Sequence, residues 1–262
     1  MTQPSNHVSS SPPDPTLAAA HTPAAIRARM RDGPRQSYLR DMVYGAIDGT
    51  VTTFAVVAGS TGAGLSVGVV LVLGLSNLIA DGFSMAVSNY LGSRAEVQSR
   101  RRVRREEERQ LDLVPEGERE EVRQLYAAKG FAGADLERAV EVLTADRERW
   151  IETMMREEHG FPPEGRSAAR AAGWTFAAFL LVGALPLLAF LVELAASVPG
   201  DPFVWSVAVS AAAFFVTGIA KGVAVRGPWF TSGIETLALG GGAAVLAFAI
   251  GYLLRGLVDA AV

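Results

Sequence analysis

The residues in this chain that could do chemistry are acids and methionines set in unusual surroundings. Over residues 67–91 the sequence reads VGVVLVLGLSNLIADGFSMAVSNYL, long and apolar enough for a bilayer crossing, which takes about 20 residues. Within it Asn77, Asp81, Met85 and Asn89 recur at steps of four. Each such step on an α-helix turns by about 40°, so the four side chains form one slowly winding stripe. An acid at bilayer depth is costly, and where it occurs it faces a bundle interior or an ion pathway. Interhelical hydrogen bonding accounts for the two asparagines and for Ser84. It does not account for a carboxylate one turn from a thioether, a pairing that fits an ion path. The apolar stretch before it, about 42–63, holds Asp48, with Asp41 two turns earlier on nearly the same face and Thr52 one turn beyond. Gly45 and Gly49 frame Asp48 as G-x-x-x-G, a spacing that permits close backbone approach of another helix.

A second set of acids lies in a polar segment. Glu118 and Glu121 are three apart, as are Glu107 and Gln110, while Met154 and Glu158 are four apart, so each pair shares a helix face. The chain has no cysteine and therefore no thiolate ligand, thiol nucleophile or disulfide frame. Carboxylates joined by thioethers suit Fe²⁺, Mn²⁺, Co²⁺ and Zn²⁺ better than Mg²⁺ or Ca²⁺. The competing reading is a solvated face laced with i,i+4 pairs such as Arg102–Glu106 and Arg104–Glu108, or a basic patch on anionic lipid headgroups. His159 reads as a helix-end residue rather than a ligand.

The elements that must position these groups follow from segregated charge. Half of the residues are hydrophobic, and mean hydropathy is positive, which points to a polytopic membrane protein with one soluble insert. Residues 1–35, rich in Pro, Ser and Ala and without periodicity, are expected to be a disordered tail and not a signal peptide. Spans are expected at about 42–63, 67–91, 171–193, 203–222 and 229–254, the third kinked at Pro186. The second span should run on as a helix to about Leu113. Pro115 then opens a helix to about Lys129. Gly130 and Gly133 mark a break with Asp135 as candidate N-cap, and one or two more helices reach His159. The domains are thus 1–35, spans 1 and 2 over 36–93, an insert over 94–166, and spans 3 to 5 over 167–262. Lys and Arg gather on the N-terminal flank, in the insert and in the loop with Lys221 and Arg226, whereas the loops near 62–66 and 194–202 carry none. The positive-inside rule therefore puts the N-terminus and the insert in the cytosol, and five spans put the two termini on opposite sides.

The run Asp48-Gly49-Thr50-Val51-Thr52-Thr53-Phe54-Ala55-Val56-Val57-Ala58-Gly59, followed by Asn77-Leu78-Ile79-Ala80-Asp81-Gly82-Phe83-Ser84-Met85, resembles the vacuolar iron transporter family. The similarity continues through Ala145-Asp146-Arg147-Glu148-Arg149-Trp150 to Met154-Met155-Arg156-Glu157-Glu158 and covers the chain from about Tyr38 onward. The resemblance implies an all-α polytopic membrane protein with five transmembrane helices and a cytosolic helical metal-binding insert between spans 2 and 3. It further implies a homodimer whose ion path runs between the two first helices. The implied activity is export of Fe²⁺, often also Mn²⁺, from the cytosol in exchange for protons. By position, Asp48 and Met85 would be intramembrane ligands and Asp41 would sit nearer the cytosolic mouth. Glu107, Glu118, Glu121, Met154, Met155 and Glu158 would form a metal-collecting module. Two positions depart from the pattern. Gln110 stands where a Glu is expected, and Asn77 stands where some members carry an acid, with Asp81 one turn on. The G-x-x-x-G beside Asp48 would bring two protomers' carboxylates close across a two-fold axis. Protons and a divalent cation would then compete for one site.

The expected partners are a second copy, the lipid bilayer, divalent metal ions and protons, with no nucleic acid. No prosthetic group is expected, only transported Fe²⁺ with Mn²⁺, Co²⁺ and Zn²⁺ as further cargo. The membrane would be the cell membrane in a bacterium, and a vacuolar or other organelle membrane in a eukaryote. An enzyme is not expected: a di-iron oxidase would use Glu-x-x-His motifs, and no Glu here has His three residues later. The alternative is a membrane-anchored metal sensor or metal-storage protein without transport, which Asp48, Asp81 and Glu235 within spans argue against.

Overall fold

In the computed structural model, which describes residues 15–32, 37–162, 166–196 and 199–261, every regular element among those residues is helical. Two compact units divide the chain, Met1–Ser37 and Tyr38–Val262. The first contains α1 (Pro15–Ala20) and α2 (Pro23–Asp32). Residues 15–32 were expected to be part of a structureless tail, and they are helical instead. A proline opens each helix and alanines follow it, so local propensity acts where no apolar face exists to signal a helix. Residues 1–14 and 33–36 lie outside the described residues.

In the second unit, α3 (Leu39–Gly62) is the hub, with half of its membrane segment buried within the chain. It touches α4 (Val67–Leu113), α8 (Ala168–Gly183), α10 (Pro202–Ala224) and α11 (Trp229–Ala261). Small residues allow this. A Cβ on Gly45 would collide with the Thr175 carbonyl, and one on Gly49 would sit 2.5 Å from the Phe179 carbonyl oxygen. Farther along, Gly62 meets the Phe248 backbone. The helix can thus press α8 with one end and α11 with the other. The chain leaves α3 through Gly64, whose φ of 73° suits only glycine without strain.

Among the described residues, five helices are long and apolar enough to cross a membrane. α4 has 47 residues, roughly 70 Å at 1.5 Å each, so its second half leaves the apolar zone as one rigid rod. α5 (Pro115–Ala128), α6 (Gly133–Thr144) and α7 (Arg147–Glu157) fold back beside that rod. Leu111, Val122, Val140, Trp150, Ile151, Met154 and Met155 form the core that holds them. Pro115 occupies the first turn of α5 as expected. Asp135 is not the N-cap of α6. Gly130 and Gly133 both take positive φ, the helix starts earlier, and the cap position falls to Ala132. Asp146 caps α7, accepting from the Arg149 amide at 2.8 Å. Pro186 interrupts the third span as a 3-10 turn, Leu185–Leu187, between α8 and α9 (Leu188–Ala195). The buried Ser206 hydroxyl donates to the Pro186 carbonyl at 2.6 Å.

Close packing of α3 against α8 gives a direct test. Gly49→Ala should lower the stability of the detergent-solubilised protein by about 1–3 kcal/mol through overpacking. Gly241→Ala, where a Cβ meets nothing within 4 Å, should be neutral or stabilising by up to about 1 kcal/mol from helix propensity. Thermal unfolding of the two variants checks the contrast.

Candidate metal pathway and collecting site

The acids of the first two spans are aimed by the glycines that follow them. Phe179 of α8 is fully buried and lies against Gly49 of α3 and Gly82 of α4. Asp48 and Asp81 precede those two glycines, about 100° around their helices. Asp81 is close enough to Asp48 for their charges to interact. Asn77 donates to Asp81 Oδ2 at 2.7 Å, one turn along α4. Asp48 itself is exposed on the surface of the single chain. The G-x-x-x-G expectation is corrected here. Gly45 and Gly49 pack on α8 of the same chain, so this motif does not supply contact with a second copy, and the acid looks away from it.

Nearer the insert, Asp41 is buried, 8% exposed. Its carboxylate accepts from Asn89 Nδ2 at 3.0 Å and pairs with the Arg166 guanidinium. The Asn89 amide also donates to Thr175 Oγ1 at 2.6 Å. A cleft of about 350 Å³ is lined here by Asp41, Tyr44, Met85, Asn89, Glu96 and Arg166. Asp41 and Met85 thus share one cleft, with the acid already balanced by an internal cation. Glu235, a further acid within a span, pairs with Lys221 at 2.9 Å on an exposed edge of α10 and α11.

The insert brings its carboxylates together. Glu107 on α4 and Glu118 on α5 are each 3% exposed, and they share a side-chain hydrogen bond. Burial, then the charges of Glu107, Glu121 and Glu158, push the Glu118 carboxyl up to about 7. Burial also raises the Glu158 carboxyl, with His159 opposing and Glu121 and Glu107 adding to the rise. His159 Nε2 lies 2.7 Å from Glu107 Oε1 and 3.7 Å from Glu158 Oε2. Glu107, Glu158 and His159 could together hold a metal ion. Met154 and Met155 are buried in the insert core, one turn before this group. Gln110 follows Glu107 by one turn and is partly exposed.

The solvated-face reading holds for a different part of the insert. Arg104 pairs with Glu108 at 3.0 Å and with Glu148 at 2.6 Å. Glu106 pairs with Arg109 at 2.6 Å, three residues on, instead of with Arg102. These ion pairs are open to solvent and contribute little stability. Sequence reasoning missed His159, which closes the acid cluster, and Arg166, which occupies Asp41. Each partner is far away in the chain, and nothing local signals the contact.

A family model described as the VIT family matches residues 39–252, from the first residue of α3 into α11. This chain belongs to the VIT family. A vacuolar iron transporter of Toxoplasma gondii is 34% identical over 85% of this chain and 76% of its own length. Vacuolar iron transporter 1 of Arabidopsis thaliana is 30% identical over 83% of this chain and 86% of its own. Vacuolar iron transporter 2 of Oryza sativa is 30% identical over 80% and 85% respectively. The VIT match includes both acid groups, that of the spans and that of the insert.

The raised Glu118 carboxyl has a consequence for stability. Between its ordinary range and about pH 7 the folded chain holds a proton that the unfolded chain has released. Stability of the metal-free protein should therefore fall as pH rises through that window. With chelator present, the melting temperature of the full chain should drop from pH 5 to pH 8. Glu118→Gln, neutral throughout, should show a smaller drop and melt a few degrees higher than wild type at pH 8.

Proposed function

We propose that this VIT-family chain exports divalent iron from the cytosol across a membrane in exchange for protons, with Mn²⁺, Co²⁺ and Zn²⁺ as further cargo. The observation that carries the reading is the single rod of α4. It bears Asp81 and Met85 in its apolar half and Glu107 in its polar half, so one helix connects a collecting cluster to acids at bilayer depth. The relatives' printed names, vacuolar iron transporters, supply the metal.

In this reading Glu107, Glu118, Glu121 and Glu158 gather the cation at the cytosolic face, with Met154 and Met155 beside them. The ion then passes the Asp41–Met85 cleft, where it competes with Arg166 for the carboxylate, and reaches Asp48 and Asp81. The cytosolic placement of the insert rests on the Lys and Arg asymmetry of the loops. An exposed Asp48 at bilayer depth costs about 2.5–3.5 kcal/mol if it faces lipid, which favours a second copy against that face and a homodimer with paired acids. Carboxylates that bind the metal only when deprotonated release protons on loading and regain them after unloading. The membrane is the cell membrane in a bacterium and an organelle membrane in a eukaryote. A membrane-anchored sensor or store would bind metal without flux.

Oriented proteoliposomes with the insert outside and a pH dye inside test the reading. Adding Fe²⁺ under clamped membrane potential should bring metal in and make the lumen alkaline. Asp48→Asn should nearly abolish both signals in a protein that still assembles, and wild-type flux in that variant would overturn the assignment. Metal entry without a pH change would show a uniporter. Met85→Leu keeps the volume and removes the sulfur. It should slow Fe²⁺ more than Mn²⁺, since the harder ion gains less from a thioether. Equal losses would make Met85 a packing residue.

A further inference from the structure

The cluster in the insert contains a donor of another chemical class. We infer that His159 is a metal ligand of the collecting site, an imidazole that tunes the site toward Fe²⁺, Co²⁺ and Zn²⁺ and away from Mn²⁺. The inference rests on reading the insert as a metal-collecting module, and it concerns which ions that module prefers.

Three observations support it. The first is geometric. His159 Nε2 is 2.7 Å from Glu107 Oε1, and one ligand atom from each of Glu107, Glu158 and His159 falls within 4.8 Å of the others. Adjacent ligands each about 2.1 Å from a metal at right angles stand about 3 Å apart, so an ion fits between them with small outward shifts. The second is an unsatisfied group. Glu118 is 3% exposed and shares a hydrogen bond with Glu107, yet its buried Oε2 has no hydrogen-bond partner. A buried carboxylate oxygen without a partner is costly, and because Glu118 feels the charges of Glu107 and Glu158, a cation held by that group would offset the cost. The third is rigidity. Beyond the end of α7, Gly160 turns the chain at φ 68°. The His159 amide donates to the Met154 carbonyl at 3.3 Å and the Phe161 amide to the Met155 carbonyl at 2.9 Å. Phe161 packs onto the insert core. The imidazole is therefore presented to the acids by a closed turn and not by a loose tail.

Gln110 explains why the imidazole matters. It offers a neutral amide one turn from Glu107 on α4, a weaker donor than a carboxylate. A nitrogen ligand with carboxylates discriminates among divalent ions more steeply than carboxylates alone, with Mn²⁺ binding weakest in the Irving–Williams order.

The test uses the full chain in detergent with one equivalent of Co²⁺. X-ray absorption should show imidazole scattering around the cobalt, and His159→Gln should remove it. The same variant should lower Co²⁺ affinity by about tenfold or more, since even outer partners of a metal site are worth that much, while Mn²⁺ affinity changes less. Adding Gln110→Glu to His159→Gln should restore Mn²⁺ binding more than Co²⁺ binding. Co²⁺ that binds and is lost in Glu118→Gln, but shows no imidazole scattering in wild type, overturns the inference and leaves the collecting module standing. The wild-type spectrum decides this even if His159→Gln does not fold. Co²⁺ binding indifferent to both Glu107→Gln and Glu118→Gln overturns the collecting reading and this inference with it.

Discussion

The membrane part of this protein depends on one contact, the Phe179 ring of α8 against Gly49 and Gly82. A large buried aromatic can meet two other helices closely only where both lack a side chain. That contact sets the rotation of α3 and α4 together. Because each glycine directly follows an aspartate, the same rotation sets the directions of Asp48 and Asp81. Packing and electrostatics are therefore one constraint: burying the ring against both glycines leaves Asp48 exposed and close to Asp81. Side chains at either glycine would both loosen the bundle and re-aim the charges.

The rod of α4 carries this arrangement out of the bilayer. Met85 and Glu107 are on the same uninterrupted helix, roughly 33 Å apart along its axis. The two acid groups are therefore separate in space, and they differ in kind. In the cleft, Asp41 already has a cation, since Arg166 from the chain just before α8 neutralises it. In the insert the clustered acids Glu107, Glu118 and Glu158 have no such guanidinium partner among the described residues. Burial, with repulsion from the neighbouring acids, lifts the Glu118 carboxyl to about 7. One group is neutralised from within, whereas the other keeps its acids crowded together without an internal guanidinium.

In the insert the apolar core runs directly into the acid cluster. Met154 and Met155 belong to its apolar centre, and the turn that follows them presents His159 to Glu107. The ion pairs of Arg104, Arg109, Arg123 and Arg147 lie on the outer faces, so the insert's many arginines are spent away from its acid cluster.

The sequence by itself determined the number and order of the membrane helices, the length of α4, the break at Pro186 and the start of α5 at Pro115. Those features follow from hydropathy over about 20 residues, from helical period and from the missing amide of proline, all of which are local. It also marked Asp48, Asp81, Glu107, Glu118 and Glu158 as residues out of keeping with their neighbours or paired on one face. Tertiary structure alone decided which surface each of them sees. The G-x-x-x-G around Asp48 has the same spacing whether it meets a second copy or α8, and only the fold shows it pressed on Phe179. His159 lies 52 residues from Glu107, and Arg166 lies 125 from Asp41. No local pattern records such contacts, because they arise from how rigid helices pack and not from what each helix is.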